Sequence, residues 1–160
     1  MSRLYPERPI VGVGVAVCRG DSVLLVRRAK PPRLGEWSLP GGAQKVGETV
    51  FEAAAREIRE ETRLEIEVLG LVDVVDSIEL DGKGLARYHY TLVDVYAAAR
   101  SGDPVAGDDV SEVAWVPVRE LGGRGLWSET RRVLEKGHAL FLEKEKAQRE
   151  GTISSIGRAT

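Results

Sequence analysis

The order of apolar patterns along the chain predicts an α+β fold, an α/β/α sandwich around a mixed sheet. Three observations carry this. Short β-branched runs recur between residues 10 and 116, a stretch with helical spacing interrupts them near residue 50, and a second helical stretch follows the last strand. At 160 residues the chain can bury one sizeable core and not two, so a single domain over residues 1–150 is expected. Residues 151–160 hold few large apolar groups and are expected to form a flexible tail.

Ile10 to Val17 and Val23 to Val26 are apolar runs around the turn Arg19-Gly20-Asp21-Ser22, which predicts a β-hairpin. Gly12 and Gly14 sit inside the first run with no helix opening behind them, so they suit close packing rather than a dinucleotide loop. The Lys30–Gly35 loop leads to a short Trp37-Ser38-Leu39 strand, which Pro40-Gly41-Gly42 stops. Thr49 and Glu52 have capping-box spacing, and the helix they open should reach about Thr62. Leu64 to Ile78 and Ala86 to Ala97 predict a second hairpin, turning at Asp81-Gly82, a dipeptide that tolerates positive φ. A loop rich in Gly, Pro and Asp runs from Ser101 to Asp109. It is followed by a short strand, Val113 to Val116, and by helix from Ser128 to about Glu150 that Gly137 ends or bends.

A net charge of -2 and a pI near 5.8 leave no basic excess for neutralising a row of nucleic-acid phosphates, which argues against polymeric DNA or RNA as a partner. A small anionic ligand remains compatible, because a bound divalent cation supplies positive charge that side chains lack. Cys18 is the single cysteine; it cannot form an internal disulfide, and its place in an apolar run predicts burial. No early apolar stretch reads as a signal peptide, and no segment approaches the ~20 apolar residues of a membrane span. A cytoplasmic location is the expectation.

The chemistry concentrates between Gly41 and Glu61. On a helix turning about 100° per residue, Val50, Phe51, Ala54, Ala55 and Ile58 form an apolar stripe. Glu57, Glu60 and Glu61, at i, i+3 and i+4, share an arc whose edge overlaps that stripe, so they are expected to be partly exposed. Like charges this close repel, and partial burial raises the cost. A hard cation such as Mg²⁺ relieves it, since it prefers oxygen ligands and keeps several waters. The competing reading is a solvated face on which Glu52, Arg56, Arg59, Glu60 and Glu61 trade surface ion pairs. The glycine-rich entry favours the metal reading, because Gly41 and Gly42 let backbone carbonyls approach a ligand.

Gly42, then five residues, Glu48, seven residues, and Arg56-Glu57-Ile58-Arg59-Glu60-Glu61 with Leu64 beyond resemble the Nudix box. The resemblance extends over roughly residues 10 to 145 and implies a Nudix-type sandwich. Arg63 stands where the family has glycine, which implies strain or a different exit from the helix. By the same resemblance, Glu60 and Glu61 are metal ligands and Glu57 is a ligand or base. Gly41 or Gly42 contributes a carbonyl, Glu48 ligates or orients Arg56, and Arg56 holds the glutamates. Relatives place a further carboxylate on a late loop, for which Asp108, Asp109 and Glu112 are candidates. The implied cofactor is Mg²⁺, with Mn²⁺ as substitute.

The implied reaction is attack of activated water on a diphosphate phosphorus. Trp37-Ser38-Leu39-Pro40-Gly41-Gly42 and Tyr88-His89-Tyr90 are similar to the ADP-ribose pyrophosphatase-like branch, which makes ADP-ribose, hydrolysed to AMP and ribose 5-phosphate, the first expected substrate. A proline often found about fifteen residues beyond the box in that branch is missing from Val75 to Leu80. Nucleoside triphosphate hydrolysis, as in nucleotide-pool sanitising, is the enzymatic alternative, and a non-catalytic nucleotide sensor the other. A homodimer is common among the similar pyrophosphatases. On a strand, Arg27 and Arg28 point to opposite faces, so one of them at most faces a phosphate. Trp37, Tyr88, His89, Tyr90 and Trp127 are base-stacking candidates weighed against core packing, and Trp115 reads as structural.

Overall fold

The computed structural model describes residues 2–157. Seven strands form one mixed sheet: β1 (Ile10–Arg19), β2 (Ser22–Arg28), β3 (Trp37–Ser38), β4 (Gly41–Ala43), β5 (Glu67–Leu80), β6 (Ala86–Ala98) and β7 (Val110–Pro117). Helix α1 spans Val50–Thr62, a short 3₁₀ helix spans Val118–Gly123, and α2 spans Ser128–Gly157. The strand order is β3-β2-β1-β6-β5, with β4 on β1 and β7 on β2. β1 and β6 run parallel from Ile10↔Tyr90 to Cys18↔Ala98, while the other pairings are antiparallel.

Both faces of the central strands are covered, which explains why β1 and β2 read as unbroken apolar runs. Val13, Val15 and Val17 meet Leu24, Ala53, Ala54 and Ile58 on the α1 side. Ala16 and Cys18 meet Leu25, Tyr96, Val133, Leu134 and Phe141 on the α2 side. Cys18 is buried as expected, and burial pushes its thiol up to about 12. Among the described residues no helix is long and apolar enough to cross a membrane.

Several expectations change. Gly41 to Ala43 extend the sheet as β4, pairing Gly14↔Gly41 and Val13↔Gly42, where the strand was expected to stop. The β5–β6 turn takes its positive φ at Gly84, at 81°, because Asp81 Oδ1 accepts from the Lys83 and Leu85 amides and tightens a longer loop. The turn therefore does not close at Gly82.

Gly137 neither ends nor bends α2. A Cβ there would lie 2.7 Å from Ala16 Cβ and 3.2 Å from Val72 Cγ2, so glycine lets the helix lie directly on the sheet. Helix also continues through Gly157, beyond the expected start of the tail at Gly151; residues 158–160 lie outside the described residues. Gly137→Val is expected to lower stability by about 1–3 kcal/mol through overpacking. A thermal melt with an unchanged midpoint would contradict this contact.

Candidate functional site

Thr49 opens α1, its hydroxyl accepting from the Glu52 amide at 3.1 Å, which satisfies one free donor of the first turn. The helix leaves at Arg63 in the left-handed conformation, φ 65°, its amide bonded to the Arg59 carbonyl. Arg63 thus adopts the geometry that normally selects glycine, and Arg59 spans the turn with bonds to Glu65 at 2.7 and 2.9 Å.

The buried stripe of α1 is Ala53, Ala54, Ile58 and Thr62 with Val50 packed beside them, whereas Phe51 is 47% exposed and Ala55 only half-buried. The helix is rolled toward Ala53 relative to the expected stripe. That roll carries Glu57 and Glu61 inward against β4. All three glutamates are half-buried, as their spacing implied.

Arg56 organises this wall. Its Nε and Nη2 donate to both Glu48 oxygens at 2.9 and 2.7 Å, and Nη2 also donates to the Ala43 carbonyl at 3.1 Å. Nη1 donates to Glu57 at 2.8 Å and to Glu60 at 3.2 Å. One guanidinium therefore ties α1, β4 and the loop between them. Hydrogen bonds from Arg56 and from the Lys45 amide hold the Glu48 carboxyl down near 2. The Gly41 amide donates to Glu61 at 3.2 Å. Burial pushes Glu61 up to about 8, with the charges of Glu57 and Asp109 adding to the rise and the Gly41 amide and Arg28 opposing it.

Gly41, Arg56, Glu57, Glu60 and Glu61 line a cavity of about 700 Å³, bounded also by Arg28, Asp108, Asp109 and Trp127. The loop before β7 docks on the carbonyl end of α1: the amides of Val105, Gly107 and Asp108 donate to Thr62, Glu61 and Glu60. A Cβ at Gly107 would collide with the Glu60 carbonyl oxygen. Glycine is therefore required for the approach that brings Asp108 and Asp109 to the cavity.

Glu112 does not line the cavity, and Glu48 takes the second of its two expected roles, holding Arg56. Glu112 lies on β7 opposite Arg27, 3.5 Å from its guanidinium, and strand alternation turns this pair away from Arg28. Glu48 is spent on Arg56 and is not part of the cavity wall. Tyr90 and Trp127 do line the cavity, while Trp37, Tyr88 and His89 do not. Trp115 is structural as expected, with Arg19 stacked 4.6 Å from its ring centroid. Asp94 and Thr130, buried polar residues on the far wall, were not singled out from sequence. Nothing local marks them, because their burial depends on elements distant in the chain.

The donor set fits a hard divalent cation. It is all oxygen, and Gly42 leaves room at Glu57, since a Cβ there would strike that carboxylate. Among the described residues no three acidic, imidazole or thiol side chains close into a cage. Glu57 and Glu60 are turned onto Arg56, and Glu61 onto the Gly41 amide.

A family model described as the NUDIX domain matches residues 8–137. The chain belongs to the Nudix family. This Nudix hydrolase is 36% identical over 119 residues to an ADP-ribose pyrophosphatase of Methanocaldococcus jannaschii, covering 74% of this chain and 68% of that one. It is 40% identical over 111 residues to a Mycobacterium tuberculosis protein provisionally named 8-oxo-dGTP diphosphatase 2, covering 66% and 79%. Among solved structures, a MutT NUDIX hydrolase from Burkholderia pseudomallei superposes with a TM-score of 0.70 at 35% identity, covering 81% of this chain and 98% of that one. Nudix hydrolases generally need divalent metal ions.

The raised Glu61 carboxyl gives a stability signature. Folded chain retains a proton there that unfolded chain releases, so without cation the stability falls as pH rises from about 4.5 to about 8. Melts of the metal-free protein across that range should show the decline, and Glu61→Gln should flatten it; equal slopes for the two proteins would refute the burial argument.

Proposed function

We propose that this Nudix hydrolase cleaves the phosphoanhydride of a nucleoside diphosphate derivative or a nucleoside triphosphate, using Mg²⁺, with Mn²⁺ as substitute, on Glu57, Glu60 and Glu61. The supporting observation is the shared wall: three half-buried glutamates face a cavity large enough for a nucleotide. When bound, the cation neutralises phosphate charge and lowers the pKa of a coordinated water. The chain supplies the rest. Glu60 and Glu61 would hold the ion with a carbonyl from Gly41 or Gly42, and Glu57 would serve as a further ligand or as the base for the attacking water. Arg28 offers the cavity a guanidinium for phosphate. Arg56 positions the glutamates through bonds already made, and of the three late-loop candidates Asp108 or Asp109, which line the cavity, takes the further carboxylate role.

Two substrates fit this chemistry. ADP-ribose follows from the sequence resemblance, and a guanine nucleoside triphosphate is favoured by an acidic group on the cavity lining, Asp94. A sensor without catalysis is disfavoured, because the full glutamate set, including the potential base Glu57, is in place.

Incubation with ADP-ribose, dGTP or 8-oxo-dGTP and Mg²⁺, followed by mass spectrometry, should show a released mononucleotide. Chelator should abolish release and excess Mg²⁺ restore it; binding without turnover would overturn the enzymatic reading. Glu61→Gln should keep the circular dichroism spectrum and lose activity by about 100-fold or more, and an unchanged rate would remove Glu61 from the mechanism.

A further inference from the structure

Asp94 on β6 is 3% exposed and lines the same cavity as the glutamates. Among the described residues its carboxylate makes no hydrogen bond or ion pair, and its oxygens are not sealed off, since the sealed and unpaired side-chain atom found there is Trp115 Nε1; they open on the cavity. A buried carboxylate without donors is costly, and such a group in a native structure calls for a ligand, a water or a function. The cation whose charge reaches it, Arg132, is already engaged. Arg132 donates to Asp73 at 2.9 Å and to Glu129 at 2.7 and 3.0 Å, and Lys136 lies 3.7 Å from Asp73. Burial pushes the Asp94 carboxyl up to about 6, with Asp73 adding to the rise.

The space around Asp94 is built by glycine. Gly12 and Gly14 lie opposite Leu92 and Asp94 across the parallel β1–β6 pairing. A Cβ at Gly12 would lie 2.8 Å from Leu92 Cδ2, and one at Gly14 would collide with Asp94 Oδ1. These two glycines let Leu92 and Asp94 lie over β1 as the cavity's apolar and acidic floor. Trp127, just before α2, and Thr130 in its first turn line the same cavity. The cavity is therefore lined by the α1 glutamates and also by Leu92, the Asp94 carboxylate and the Trp127 indole, whose ring carries the Arg33 guanidinium 4.5 Å from its centroid.

We propose that Asp94 is a specificity-determining residue that accepts hydrogen bonds from two adjacent N–H groups on a guanine-type base. The inference rests on the cavity being a nucleotide site and names the base it selects. An ionised carboxylate has two acceptor oxygens and no donor. Among the common bases, guanine alone presents two neighbouring donors on its pairing edge, N1–H and the N2 amino group. Adenine sets one donor beside one acceptor, cytosine one donor beside two acceptors, and uracil and thymine flank one donor with two carbonyls. 8-Oxoguanine keeps the guanine edge, so Asp94 treats the oxidised and ordinary bases alike.

The test compares the full-length protein with Asp94→Asn and Asp94→Ala. GMP and AMP binding is measured by calorimetry without metal, and hydrolysis of dGTP, 8-oxo-dGTP, dATP and ADP-ribose is measured with Mg²⁺. The wild-type chain should favour guanine over adenine by about 30-fold, the discrimination of one bidentate base contact. Asp94→Asn offers one donor and one acceptor, and should lose guanine affinity while gaining adenine. Asp94→Ala should lose guanine affinity without that gain. Melting midpoints at or above wild type for Asp94→Asn would exclude misfolding as the cause. Equal base ratios in all three proteins, or equal loss for every base, would overturn the assignment. GMP selectivity without hydrolysis of any substrate would sustain this inference while sinking the enzymatic one.

Discussion

Five hydrogen bonds from one guanidinium hold the acidic wall together. Glu57, Glu60 and Glu61 are placed on consecutive turns of α1 by spacing alone, but spacing does not say where their oxygens point. Arg56 settles this for two of them and fastens both to β4 through the Ala43 carbonyl. Glu48, with both oxygens on Arg56, fixes the guanidinium in turn. A bidentate, charge-assisted pair of this kind restricts geometry as well as lowering energy. Without it, the like charges on α1 would relax outward into solvent.

The central strands let one cavity carry two kinds of chemistry. β1 and β6 are parallel and covered on both sides, so alternate residues serve opposite layers. On the α1 side they are valines that seat the helix and its glutamates. On the other side, Gly12 and Gly14 replace bulk with space, and the floor passes to Leu92 and Asp94. Acid clusters therefore sit at both sides without sharing neighbours: Glu61 feels Glu57, Arg28 and Asp109, whereas Asp94 feels Asp73, Arg132 and Glu129.

What could be read from sequence was whatever a short segment decides by itself. The α1 glutamates, the Thr49 cap, the buried Cys18 and the mixed sheet all follow from local spacing or composition. The flank of the α1 stripe did not, because alanines at 53, 54 and 55 make several rotations equally apolar, and contact with β4 chooses among them. Glu112 stands apart from the cavity because β7 begins at Val110, which converts an expected loop position into a strand position facing Arg27. Asp94 was invisible for a deeper reason. An aspartate in an apolar run looks like an ordinary strand residue until the pairing with Gly14 and the cover of α2 bury it where, among the described residues, no donor bonds it.

The docking of residues 105–108 on the last carbonyls of α1 ties a surface connection to the most constrained part of the molecule. Connections between strands ordinarily vary in length at little cost. This one has three of its amides committed to successive helix carbonyls, so an added or deleted residue would shift Asp108 and Asp109 along with the helix end. The β6–β7 connection consequently behaves as a ruler, and its length should be as intolerant of change as the helix it measures.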